Sequence, residues 1–160
     1  KAKYIETQVG EINVVDKIYE LKAPIGGEGS SSGVVIPQSR CRDGILTLIY
    51  LLKIIANNKK NIDELIKTLP EFYSIKSKVK IELKKYDRIK KKLIAYYRKK
   101  QCQIKDTKFG SLKVYLDDNS FIWFRASKTE ADVLRIISDA PAKEQAEEIM
   151  KEALKLTKIK

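Results

Sequence analysis

The sequence has no histidine, and only two of its 160 residues are cysteine. Without histidine, the chain cannot form Ser-His or Cys-His nucleophilic pairs or mixed Cys/His zinc sites. Cys41 and Cys102 have neither a metal-binding spacing nor the pattern of a disulfide framework. We therefore expect reduced thiols and a cytoplasmic protein.

Long apolar runs are also missing. The longest, residues 45–56, is interrupted by Lys53 and is too short to span a bilayer. No signal peptide is recognisable, and we expect no membrane partner. With 43% hydrophobic and 34% charged residues, the composition is that of a folded globular protein with one ordinary domain or two small ones.

The net charge of +12 is unevenly distributed along the chain. Residues 76–100 contain twelve Lys or Arg and only Glu82 and Asp87 as acids. Because three tyrosines are interleaved with these cations, one interpretation is a basic nucleic-acid-binding α+β module. The other is the solvated face of a helix. The pattern favours the solvated face, because the tyrosines fall on the apolar stripe of the predicted helix.

The first 72 residues are predicted to contain helices, short strands and one loop rich in Gly and Ser. The predicted elements are strands over residues 1–8 and 34–37 and helices over 11–21, 45–57 and 61–69. Asp43 is the expected N-cap of the second helix, which is apolar on nearly every face and should be buried on several sides. The loop, residues 25–33, contains four glycines and Glu28. It indicates either special backbone angles and close approach of the backbone to another group, or a linker.

The pattern changes after Pro70. The predicted elements are strands over residues 73–83, 102–104, 111–116, 120–124 and 133–137, a helix over 87–100, and a closing helix from 140 with Pro141 in its first turn. This order predicts an α+β domain. We place the domain boundary between residues 72 and 73.

A charged segment, residues 124–131, lies between the last two predicted strands. It contains the hydroxyls of Ser127 and Thr129 and the cations Arg125 and Lys128, and Arg135 follows four residues later. Arg supplies a planar fork and Lys a point charge, so the segment can direct several donors at a phosphate dianion. The alternative interpretation is a charged hairpin without a ligand.

Two stretches of the sequence resemble motifs of the α-D-phosphohexomutases, the phosphoglucomutase and phosphomannomutase family. Arg125-Ala126-Ser127-Lys128-Thr129-Glu130 resembles the C-terminal phosphate-binding loop, usually Arg-Pro-Ser-Gly-Thr-Glu-Pro. Gly26-Gly27-Glu28-Gly29-Ser30 resembles the first part of the sugar-recognition loop. Arg42-Asp43-Gly44 falls where these enzymes have a similar triplet, and the order of the motifs agrees along the whole chain.

This resemblance implies a mutase that interconverts hexose 1- and 6-phosphates through a bisphosphorylated intermediate. It implies that Glu28 and Ser30 bind sugar hydroxyls. It also implies a set of residues that holds the non-reacting phosphate: Arg125, Ser127, Lys128, Thr129 and Arg135. The implied fold is a part of a three-layer α/β third domain over residues 1–72. A fourth domain over residues 73–160 would follow, similar to TATA-box-binding protein, with an antiparallel sheet and two helices.

The sequence also departs from the family pattern. Lys128 replaces a Gly, which costs about 1–2 kcal/mol if that position requires a left-handed backbone, and Ala131 replaces a Pro. The phosphoserine and Asp-rich magnesium segments of the family do not occur in this sequence. Mg²⁺ and a hexose 1,6-bisphosphate activator are therefore expected to act in the full enzyme without ligands from this chain.

We accordingly expect the chain to be the C-terminal part of a mutase, and to catalyse nothing alone. Its expected partners are a hexose phosphate and the N-terminal domains, or a second chain that completes the partial third domain. A non-catalytic protein that binds a sugar phosphate is the remaining alternative.

Overall fold

The computed structural model divides into two compact units, Lys1–Leu69 and Pro70–Lys160. The described residues are 3–28, 33–107, 111–127 and 130–158, with the backbone alone described at Leu83 and Thr107. The first unit is a mixed α/β structure and the second an α+β structure, which confirms the predicted fold class.

The first unit combines three helices with a small antiparallel sheet. Its elements are α1 (Glu11–Leu21), β1 (Gly26–Gly27), β2 (Val34–Val35), β3 (Arg42–Asp43), α2 (Gly44–Asn58) and α3 (Ile62–Ile66). The sheet has the order β1-β2-β3. One side of α1 packs against β2 through a small core of Val14, Val15, Ile18 and Val35.

The strand predicted over residues 1–8 is wrong within the described part, because residues 3–8 form no regular structure. A strand needs a neighbour for its backbone hydrogen bonds. None of the strands described in the chain pairs with this segment.

The predicted cap of α2 is confirmed, but the expected burial of this helix is not. The Asp43 carboxylate accepts a hydrogen bond of 2.8 Å from the Leu46 amide. No residue of α2 is buried, and Ile45 is 78% exposed. The described residues cover little of its apolar surface, because the core of the first unit forms around α1 and β2 instead.

The second unit is a five-stranded antiparallel sheet with two helices. Its elements are β4 (Tyr73–Lys80), α4 (Leu83–Lys99), β5 (Gln103–Thr107), β6 (Ser111–Tyr115), β7 (Phe121–Ala126), β8 (Val133–Ala140) and α5 (Lys143–Thr157). The strand order is β4-β8-β7-β6-β5. Both helices contribute to one core, in which Leu93 of α4 and Met150 of α5 join Phe124 and Ile136 of the sheet. The helices therefore cover one face of the sheet.

Several predicted boundaries in this unit are wrong. β4 ends at Lys80 and α4 already begins at Leu83, because Tyr86 adds a buried turn ahead of Ile89 in the helix. Pro141 lies outside α5, whose N-cap is Ala142 in an extended conformation. Proline fixes φ near −65°, which suits an approach to a helix as well as its first turn.

Candidate functional site

The loop between β7 and β8 is closed by its own hydrogen bonds. The Ser127 amide donates to the Val133 carbonyl at 2.8 Å, and the Glu130 amide donates to the Ser127 hydroxyl at 3.1 Å. Asp132 has a positive φ of 55°, so the backbone turns back there into β8. The Ser127 and Glu130 amides thus hold the loop in shape, and the cations are the main candidates for anion binding.

Three cations lie in a row across three adjacent strands. Arg125 of β7 is directly opposite Arg135 of β8, and Arg135 is directly opposite Lys78 of β4. Directly opposed side chains lie on the same face of an antiparallel pair, about 4.5–5.5 Å apart at Cβ, where like charges repel. We call Lys78, Arg135 and Arg125 the cationic row. Its repulsion favours binding of an anion.

Glu130 brings a carboxylate from the loop to this row. Lys78 Nζ donates to both of its oxygens, at 2.9 and 3.0 Å, and Arg135 Nη2 donates to Oε1 at 2.6 Å. The hydrogen bonds from Lys78 and then Arg135 hold the pKa of the Glu130 carboxyl below its usual range. The loop and the cationic row are therefore fixed to each other.

Arg125 also contacts an aromatic ring on its own strand. Its guanidinium lies over the Trp123 indole, 5.4 Å from the ring centroid. Arginine stacks readily on aromatic faces because its charge is delocalised and weakly hydrated. Trp123 thus helps to orient Arg125.

The predicted phosphate-binding residues are partly accounted for by this geometry. Arg125, Ser127 and Arg135 come together at the loop, whereas Lys128 and Thr129 lie outside the described residues. Sequence reasoning missed Lys78 and the pairing role of Glu130. Lys78 belongs to the alternating apolar and polar residues of β4. This alternation predicts which face of the sheet Lys78 lies on, but it does not predict which residue of β8 is opposite.

In the first unit, Glu28 contacts Arg42, the first residue of the Arg42-Asp43-Gly44 triplet. Arg42 Nη1 lies 3.7 Å from Glu28 Oε2, and Arg42 Nε donates to Glu11. The Glu28 side chain is only 17% exposed. Arg42 thus holds a largely buried carboxylate within the Gly/Ser loop, while Ser30 lies outside the described residues.

Two glycines of this loop are required by their surroundings. A Cβ at Gly26 would come within 2.5 Å of Val14 Cγ1, and one at Gly33 within 2.9 Å of the Asp43 backbone. Gly33 also has a φ of 108°, where glycine is strongly favoured. At Gly27 a Cβ would meet no atom within 4 Å. Close approach is therefore shown at Gly26 and Gly33, and the surface at Gly27 is open.

The described residues contain neither a metal-binding cluster nor a membrane-spanning helix. No group of three or more Cys, Asp or Glu side chains there could hold a metal ion. The described residues therefore offer no ligand set for a magnesium ion. No described helix is long and apolar enough to cross a membrane.

Two of the three tyrosines in the basic helix α4 are not exposed for stacking against nucleic-acid bases. Tyr86 and Tyr97 are buried in the core, and burial raises the pKa of both phenols. Lys90 forms an ion pair with Asp106 at 2.5 Å. These tyrosines serve packing, and base stacking needs exposed rings.

Comparison with known proteins gives one consistent result. Residues 1–73 match the family model described as phosphoglucomutase/phosphomannomutase, alpha/beta/alpha domain III. The chain is 36% identical to a phosphoglucomutase/phosphomannomutase of Thermococcus kodakarensis over 158 residues, 97% of this chain and 33% of that protein. It is 25% identical to a probable phosphoglucosamine mutase of Methanobrevibacter smithii over 159 residues, 99% of this chain and 35% of that protein.

A solved structure supports the fold. The crystal structure of a phosphoglucomutase/phosphomannomutase family protein from Burkholderia thailandensis has a TM-score of 0.63 at 23% identity, covering 94% of this chain and 32% of that one. Over nearly its whole length, the chain is similar to proteins named as phosphoglucomutase/phosphomannomutase and phosphoglucosamine mutase. It spans about a third of the length of the curated relatives it matches. These matches do not favour the nucleic-acid-binding alternative.

Proposed function

We propose that the chain serves a hexose-phosphate mutase reaction and that its second unit binds the phosphate that is not being transferred. The observation that carries this proposal is the pairing of Arg125 with Arg135 beside Ser127. By the family resemblance, Lys128 and Thr129 add donors to the same phosphate. Phosphoryl transfer depends mainly on positioning and charge neutralisation, and the two guanidinium groups supply both.

In the first unit, we propose that Glu28 accepts hydrogen bonds from hydroxyls of the sugar. A carboxylate can accept from two adjacent hydroxyls, and Arg42 orients it. The open surface at Gly27 leaves room for a sugar ring to approach. Ser30 is a second sugar-binding residue by resemblance.

The remaining parts of this proposal concern the whole enzyme. Mg²⁺ would supply charge stabilisation at the transferred phosphoryl group, and a hexose 1,6-bisphosphate would act as activator. We place the protein in the cytoplasm, in agreement with its two free thiols, Cys41 and Cys102. Its substrate class is hexose phosphates, and its partner is the chain or the domains that complete the enzyme.

Titration of the 160-residue chain with glucose 6-phosphate, followed by backbone amide shifts, tests the phosphate site. We expect saturable shifts around the loop between β7 and β8, and no such shifts with glucose alone. Arg125→Met should weaken binding of glucose 6-phosphate about tenfold or more, because it removes a guanidinium group that can donate two charge-assisted hydrogen bonds to a phosphate. Arg88→Met removes the same charge from the exposed surface of α4 and is the matched control. Equal binding by wild type and Arg125→Met would contradict the proposal.

A further inference from the structure

Lys78 lies at the candidate phosphate site, although it is far in sequence from the loop between β7 and β8. It lies on β4, 52 residues before Glu130, and is paired directly with Arg135. Arg135 alternates along β8 with Leu134 and Ile136, which are buried in the core beneath the helices. The cationic row therefore lies on the opposite face of the sheet, away from α4 and α5.

The position of the Lys78 ammonium is set by the loop. Glu130 accepts from it with both oxygens and accepts from Arg135 at the same time. The side chain of Lys78 is still 62% exposed, so its ammonium can also donate to a ligand. Lys78 is thus held near the site without being enclosed.

The charges of this cluster match those of a phosphate monoester. Lys78, Arg135 and Arg125 carry three positive charges, and Glu130 carries one negative charge. A phosphate monoester carries about −1.5 to −2 at pH 7, because its second pKa is near 6. Without Lys78, the remaining three groups would carry one net positive charge and would match the monoanion better.

We propose that Lys78 is a further phosphate-binding residue of this chain and that it confers preference for the dianion. The inference rests on the proposed function, because it concerns the same phosphate site. A purely structural alternative is that Lys78 only anchors Glu130 and thereby the loop. The two roles differ in their dependence on ligand charge: an anchor would affect both phosphate forms equally, whereas a binding residue favours the dianion.

The test compares binding of glucose 6-phosphate to the 160-residue chain at pH 7.5 and pH 5. The chain has no histidine, so between these pH values the phosphate is the main group near the site that titrates. The groups around it are Arg125, Arg135 and Glu130, with Lys76 and Lys80 flanking Lys78 on the same face of β4.

Lys78→Met should weaken binding about five- to tenfold at pH 7.5 and about twofold or less at pH 5. Lys78→Arg, which retains the charge, should bind within about twofold of wild type. Lys76→Met is the matched control, because it removes the same charge from the same strand and face but lies opposite Ile137. It should bind within about twofold of wild type at both pH values.

The outcomes separate this inference from the proposed function. If wild type binds and Arg125→Met does not, unchanged binding by Lys78→Met overturns the inference and leaves the phosphate site standing. An equal loss at both pH values, or an equal loss in Lys76→Met, also overturns it. If wild type binds no glucose 6-phosphate at all, the proposed function itself fails.

Discussion

Asp117 closes the turn between β6 and β7 through two hydrogen bonds. Its carboxylate accepts from the buried Ser120 hydroxyl at 2.6 Å and from the Asn119 amide at 2.8 Å. These bonds, that from Ser120 first, hold the pKa of the Asp117 carboxyl below its usual range. A lowered pKa in the folded state stabilises the fold above the unfolded pKa of about 3.9. The contribution is lost as the pH falls through the folded value.

We therefore expect Asp117→Asn to destabilise the second unit at pH 7 by roughly 1 kcal/mol. This loss of stability is smaller than hydrogen bonds to charged groups usually contribute, because the Asp117 carboxylate is exposed and screened by solvent. The difference from wild type should shrink as the pH is lowered below about 4. Urea unfolding followed by Trp123 fluorescence measures it, with Asp118→Asn as the control for the loss of charge. If the difference in unfolding free energy between wild type and Asp117→Asn were unchanged at low pH, the ionised Asp117 carboxylate would not be what stabilises the turn.

At the scale of elements, α1 and β1 fit together only because Gly26 has no side chain. Gly26→Ala would place a methyl group 2.5 Å from Val14 Cγ1 and 2.8 Å from Ile18 Cδ1. Overpacking of this kind typically costs about 1–3 kcal/mol. We expect faster hydrogen exchange of the α1 amides in Gly26→Ala.

Gly27→Ala is the matched control, because its added methyl group meets no atom within 4 Å. It should leave the exchange rates of α1 nearly unchanged. Similar exchange in the two variants would show that the packing of Gly26 on α1 does not limit the stability of the first unit.

The sequence predicted best those elements whose signals are local. The Asp43 cap depends on an amide only three positions further along the chain, and the cap forms. The pairing of Lys78 with Arg135 depends on strand register over more than fifty residues, which no local pattern specifies. The site was therefore predictable as a loop but not as a row of cations across three strands.

At the scale of the whole molecule, the residues with binding chemistry are divided between the two units. The first unit contributes Glu28 with Arg42, and the second contributes the cationic row with Ser127. In the proposed function, the first group would bind sugar hydroxyls and the second would bind a phosphate.

We expect the 160-residue chain to bind glucose 6-phosphate but not to form it from glucose 1-phosphate. The proposed binding rests on the cations of the second unit, whereas the family resemblance implies that transfer also needs a phosphorylated serine segment, which the sequence does not contain. A coupled dehydrogenase assay with Mg²⁺ and glucose 1,6-bisphosphate measures the reaction, and a full-length phosphoglucomutase is the positive control. Turnover above background that disappears in Arg125→Met would contradict this expectation, because it would show that the chain itself contains the transferring group.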